Sequence, residues 1–121
     1  MNPVPLFLII VTLPLLLGGC GEKSSVNFDQ LEERREIAYI KGSYSPYTGK
    51  AYKFYENGQK EVETNFRDGK REGLETQWHE NGQKGIEKNY KDGKLVEGSA
   101  KYWNSKGEPV DSEEEAYKIN P

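Results

Sequence analysis

Cysteine, histidine and methionine each occur once in the 121 residues. A lone cysteine excludes an internal disulfide, so any fold here must be stable without covalent staples. One histidine and one cysteine are too few for a Cys/His zinc set. A general-base role for His79 would need partners of a kind the chain lacks. No glycine-rich phosphate loop opens a helix. No catalytic residue, metal ligand or cofactor is therefore expected. Positive charge is also not in excess: 17 Lys and Arg face 20 Asp and Glu, a formal net charge of −3. That balance argues against nucleic acid, whose binding rests on neutralising phosphates. The charges alternate in sign rather than cluster, the pattern of a solvated face. The acidic run Asp111, Glu113, Glu114, Glu115 is most simply the acidic start of a helix.

Charge is missing altogether from residues 1–20, MNPVPLFLIIVTLPLLLGGC. Val4 to Leu17 is apolar apart from Pro5, Thr12 and Pro14, too short and too proline-rich for a comfortable membrane span. It ends in Leu17-Gly18-Gly19-Cys20, which resembles the bacterial lipobox. The resemblance implies that residues 1–19 are a signal peptide and that Cys20 carries the lipid. No Lys or Arg precedes the apolar run. By resemblance to enterobacterial lipoproteins, Gly21 after the cysteine implies the outer membrane. The expected organisation is Cys20 with a polar tether over 20–30, an entry segment over 31–48, and a tail over 111–121. Leu31, Ile37, Tyr39 and Ile40 punctuate the entry segment, where 37–40 reads as a strand. Ser112 with Glu115 three residues later resembles a capping box, so a short C-terminal helix is expected.

Residues 49–110 are one unit written two and a half times. Copies run over 49–72, 73–97 and 98–110, the last cut short, with one extra residue before Gly98. Each full copy holds two turn signals. Asn57-Gly58 and Asn81-Gly82 are the first kind; Asp68-Gly69 and Asp92-Gly93 are the second. Both dipeptides suit type I′ hairpin turns. The expected fold class is all-β, a single-layer antiparallel meander of tandem β-hairpin repeats with a period of about 24.

Same-parity positions then suggest one buried face. Tyr52, Phe54, Val62, Thr64 and Phe66 in the first copy match Leu74, Thr76, Trp78, Ile86 and Tyr90 in the second. Lys53, Glu61, Glu63, Glu75, Gln77 and Glu87 fall between them. On this reading Trp78 is buried between Phe54 and Tyr102, while His79 is exposed on the other face. His79 occupies the repeat position of Tyr55 and Trp103, and these three are the candidate binding surface.

The stretch YENGQKEVETNFRDGKREG closely resembles the MORN-variant repeat of bacterial envelope proteins and proteins labelled antitoxins. KGSYSPYTGKAY, Lys41 to Tyr52, resembles the entry segment of such lipoproteins. The resemblance covers Ile37 to Val110, and the third copy departs from it: NSKGE replaces ENGQ and no Asp-Gly follows. It implies a membrane-anchored, non-catalytic binding module of the cell envelope, whose partner is a protein or an envelope component. The alternatives are an antitoxin or immunity protein that neutralises a toxin by protein–protein contact and, less favoured, an envelope enzyme. A lipid anchor argues against an antitoxin that works in the cytoplasm.

Overall fold

Four short dipeptides set the turns, and the turns set the sheet. The computed structural model describes residues 24–119; the expected signal peptide and Cys20 lie outside the described residues. Asp68-Gly69 and Asp92-Gly93 have φ of 50°, 80° and 48°, 84°. They close Arg67 onto Lys70 and Lys91 onto Lys94 as two-residue type I′ turns.

The Asn-Gly turns are of another type. Among Asn57, Gly58, Asn81 and Gly82, only the glycines have positive φ, 86° and 89°. Gly58 N donates to Tyr55 O at 3.0 Å and Tyr55 N to Gln59 O at 2.8 Å; Gly82 N to His79 O and His79 N to Gln83 O repeat this at 2.9 and 2.7 Å. Each is a type I turn followed by a left-handed glycine bulge. The asparagine stays right-handed because its Oδ1 accepts the N–H two residues on, from Gln59 and Gln83, each at 2.9 Å. Asn104 to Glu108 closes identically without an Asn-Gly pair: Gly107 N donates to Asn104 O, and Asn104 N to Glu108 O.

These turns join strands β4 (Gly49–Phe54), β5 (Lys60–Arg67), β6 (Lys70–Arg71), β7 (Gly73–Trp78), β8 (Lys84–Lys91), β9 (Lys94–Leu95), β10 (Lys101–Trp103) and β11 (Pro109–Val110). With β1 (Ser25–Asn27) they form one open sheet in the order β1-β4-β5-β7-β8-β10-β11; β6 and β9 prolong the pairing on β5 and β8. The β-hairpin architecture is thus as expected, with two departures. The sheet is mixed, because β1 lies parallel to β4, pairing Ser25 with Lys50 and Asn27 with Tyr52. The polar tether expected over 20–30 is ordered structure from Ser24 onward. Ser24 O accepts Lys50 N at 2.9 Å, so these residues satisfy backbone groups that β4 would otherwise leave at an edge.

The shared-parity face is the largest correction. Ala51 pairs with Thr64, Tyr52 with Glu63 and Thr76 with Glu87. Directly opposed residues share a face, so even positions of β4 and β7 lie with odd positions of β5 and β8. Parity inverts at each of these hairpins. The extra residue before Gly98 restores it, and Ile86 pairs with Tyr102. Phe54, Trp78 and Trp103 therefore share one face, while Val62, Ile86, Phe66, Tyr90 and Tyr102 share the other.

Among the described residues, everything that covers the sheet covers the second of these faces. A 3₁₀ turn, Phe28–Gln30, capped by Asn27, brings Phe28 edge-on to Phe66 with centroids 6.4 Å apart. A separate hairpin of β2 (Leu31–Arg34) and β3 (Ile37–Ile40) docks through Ala38 N to Gly69 O at 2.9 Å. Its two-residue turn puts Arg35 and Glu36 at φ 53° and 66°, a left-handed pair with no glycine. Helix α1 (Glu113–Ala116) packs on β8 and β10 and tethers Glu113 to Lys88 at 3.7 Å. Ser112 caps it as expected, accepting Glu115 N at 3.1 Å, but the Glu115 carboxylate takes Asp111 N. Ile86 on β8 is 0 % exposed beneath this cover, and Ala116 on the inner side of α1 is 2 % exposed.

Candidate recognition surface

The uncovered face carries a ladder in which rings and ammonium groups alternate. Phe54 pairs with Lys60, Trp78 with Lys84, and Trp103 with Pro109. Lys60 Nζ stands 4.8 Å from the Tyr52 centroid and 5.2 Å from that of Trp78; Lys84 Nζ is 5.6 Å from that of Trp103. The order across the strands is Phe54, Lys60, Trp78, Lys84, Trp103. Tyr52 stacks on Phe54 at 6.2 Å.

A bulge in each hairpin makes this geometry. The register slips between Lys53 and Phe54 and between Gln77 and Trp78. That slip turns Lys60 and Lys84 onto the ring face, where each meets the glutamate three residues on: Lys60 with Glu63 at 3.1 Å, Lys84 with Glu87 at 2.6 Å. The ion pairs are partly exposed and contribute little to stability. They do fix Lys60 between the Tyr52 and Trp78 rings and Lys84 against Trp103, where cation–π attraction adds to their order. Phe54 remains 49 % exposed, and Trp78 and Trp103 are half-buried.

The covered face holds a concavity of about 540 Å³, lined by Phe28, Lys53, Val62, Arg71, Glu75 and Tyr90 among others. Glu75 is 4 % exposed. It accepts Thr64 Oγ1 at 2.6 Å and lies 3.6 Å from Arg71 Nε. A buried carboxylate satisfied in this way is a structural pair. Among the described residues, no three His, Cys, Asp or Glu side chains converge as a metal site.

The expected trio of Tyr55, His79 and Trp103 is not brought together. Tyr55 Oη donates to Trp78 O at 2.6 Å, and His79 Nε2 reaches Trp103 O at 2.8 Å, so that nitrogen carries the hydrogen. Asn57 and Asn81 repeat the theme, donating to Glu80 O at 3.0 Å and Ser105 O at 2.8 Å. Tyr55 and His79 are thus rungs that tie one copy to the next. Expected to be exposed, His79 is only 6 % so, with its ring 4.6 Å from that of Tyr117. Its third-copy counterpart is Asn104, because the added residue shifts the frame by one. Trp103 belongs instead with Phe54 and Trp78. Gly85 makes room for this packing: a Cβ there would stand 2.5 Å from Tyr117 Oη.

Burial raises the Tyr55 phenol above its ordinary value, helped by Glu61 and Glu80. Burial also pushes Tyr117 up to about 12, with Tyr55, Glu113 and Glu61 adding. In the unfolded chain Tyr117 ionises near its ordinary value of 10, while the folded protein keeps the proton. The stabilisation is present below that value and is lost as pH climbs from 10 through about 12. Urea denaturation should show the wild type losing stability relative to Tyr117→Phe over this window. A constant difference between them would mean that the phenol is not held neutral by the fold.

No protein-family model matches this chain, and neither a curated protein nor a solved structure matches it significantly. Among the described residues no helix is long and apolar enough to cross a membrane.

Proposed function

We propose that this protein is a lipid-anchored recognition module of the bacterial envelope, built of MORN-variant-like repeats, that holds a partner without turning it over. The observation that supports this reading best is the ladder of Phe54, Lys60, Trp78, Lys84 and Trp103 on the uncovered face. Aromatic rings supply contact area at low entropic expense and are enriched at recognition surfaces.

Ser24, the first described residue, and the ladder lie at opposite ends of the strands. Ser24 Oγ donates to Thr48 O at 2.9 Å, and Thr48 Oγ1 accepts Asp68 N at 2.9 Å, which sets Ser24 beside the Asp-Gly turns. Four residue steps separate it from Cys20, a reach of at most about 14 Å. The ladder sits beside the Asn-Gly turns. A lipid on Cys20 would therefore hold the ladder away from the bilayer.

Crosslinking in intact membranes followed by mass spectrometry tests the proposal. Trp78→Ala combined with Trp103→Ala should reduce partner capture about tenfold or more, while the protein stays in the membrane fraction. Cys20→Ala should release it from that fraction. Undiminished capture by the double variant would remove the ladder from the binding role. Retention of Cys20→Ala in the membrane would remove the anchor.

A further inference from the structure

We infer that the ladder is a platform for a single, extended β-1,4-linked glycan chain. This rests on the reading of the open face as the recognition surface and names its ligand class.

Spacing is the first argument. Phe54, Trp78 and Trp103 sit on β4, β7 and β10, with exactly one strand, β5 or β8, between neighbours. Two strand spacings make about 9.6 Å. An extended β-1,4-linked chain has a disaccharide repeat of nearly this length and presents like ring faces at every second sugar. The three aromatic rungs thus match three successive disaccharides. Phe54 is 49 % exposed and Trp78 and Trp103 are half-buried, so the open part of each ring, beside its lysine, can pack on the apolar C–H face of one sugar.

Charge is the second. Both ladder lysines are neutralised by their own glutamates, so the platform has no excess of either sign. That disfavours an acidic polymer and suits a neutral one rich in hydroxyls. Each Lys–Glu pair sets a donor beside an acceptor in the gap between rungs, and a sugar hydroxyl can use both. The gaps fall where the intervening sugars would lie.

Sheet twist selects among neutral β-1,4 glycans. Neighbouring strands turn by about 20–25° on one another, so successive rungs are rotated. A free chain can follow that rotation, and a crystalline glycan surface cannot. The ligand is therefore a soluble chain.

The test uses the full-length protein and intrinsic fluorescence. Trp78 and Trp103 are the only tryptophans, and both are rungs, so the signal comes from the platform alone. Oligomers of two, four and six sugars, in both the glucose and the N-acetylglucosamine series, are titrated. Affinity should rise about tenfold with each added disaccharide until three rungs are filled. A preference for one series identifies the ring substituents the platform accepts. Trp78→Phe should bind within a few-fold of wild type, and Trp78→Ala should lose about tenfold or more while keeping a strand-type circular dichroism spectrum. A helical α-1,4 glucan and crystalline cellulose should not bind. Absence of binding by either β-1,4 series, or binding that does not grow with length, overturns the inference. If the ladder still governs crosslinking to a protein in membranes, the recognition reading stands and only its glycan ligand falls.

Discussion

Ile86→Ala should remove about 2–5 kcal/mol of stability, while Trp78→Ala should remove only about 1–2 kcal/mol. Periodicity alone buries both on one face, with Trp78 as the hub. The structure separates them: Ile86 is 0 % exposed under α1 and Trp78 stands half-buried on the open face. Ile86 is also the central residue of its row, between Gln77 on β7 and Tyr102 on β10. Truncating it leaves a cavity that a sheet and a four-residue helix cannot easily close. Folded domains are stable by about 5–15 kcal/mol, and this small core has no disulfide, so the Ile86→Ala chain should be largely unfolded at modest urea. Urea denaturation of the two variants in parallel decides the matter. A larger loss at Trp78 would mean that the open face is covered in solution.

His79→Ala should cost about 2–4 kcal/mol. Three losses combine. The part-buried Trp103 carbonyl loses its donor, the ring leaves a space beside Gly85, and Tyr117 loses the surface on which it rests. Tyr55→Phe is the comparison. It deletes one hydroxyl from the equivalent rung and keeps the ring, so about 1 kcal/mol is expected. The third copy should respond most to His79→Ala, because its Trp103 carbonyl and the helix both depend on that side chain. Hydrogen exchange would show this as faster exchange in β10 and β11, with β4 and β5 unchanged. Uniform destabilisation would mean that the copies do not open separately. No effect at all would mean that His79 is an exposed substitute for a repeat aromatic.

Much of the fold is legible from local chemistry. Asn57-Gly58, Asp68-Gly69 and their copies mark the turns, because few residues other than glycine tolerate the left-handed backbone those turns require. Ser112 marks the start of α1 through its side-chain oxygen. These are interactions over two to four residues, and the sequence displays such partners side by side. The Arg35-Glu36 turn was not legible, since neither residue favours positive φ; the docking of Ala38 on Gly69 holds the hairpin that needs it.

The sequence by itself determined the repeat, its period, the turn positions and the β-rich class, since each follows from the preferences of neighbouring residues. It did not determine which residues face which way. That depends on register, and register here depends on one bulge per hairpin and on one residue added before Gly98. Each bulge or insertion of a single residue reverses the facing of everything beyond it. Only the tertiary structure decided that Phe54, Trp78 and Trp103 form the open ladder, that His79 is a buried rung, and that the coverings all settle on the opposite face. The physical reason is that backbone pairing across strands, and the packing of Phe28, Ala38 and Ala116 on one side, join residues far apart in the chain.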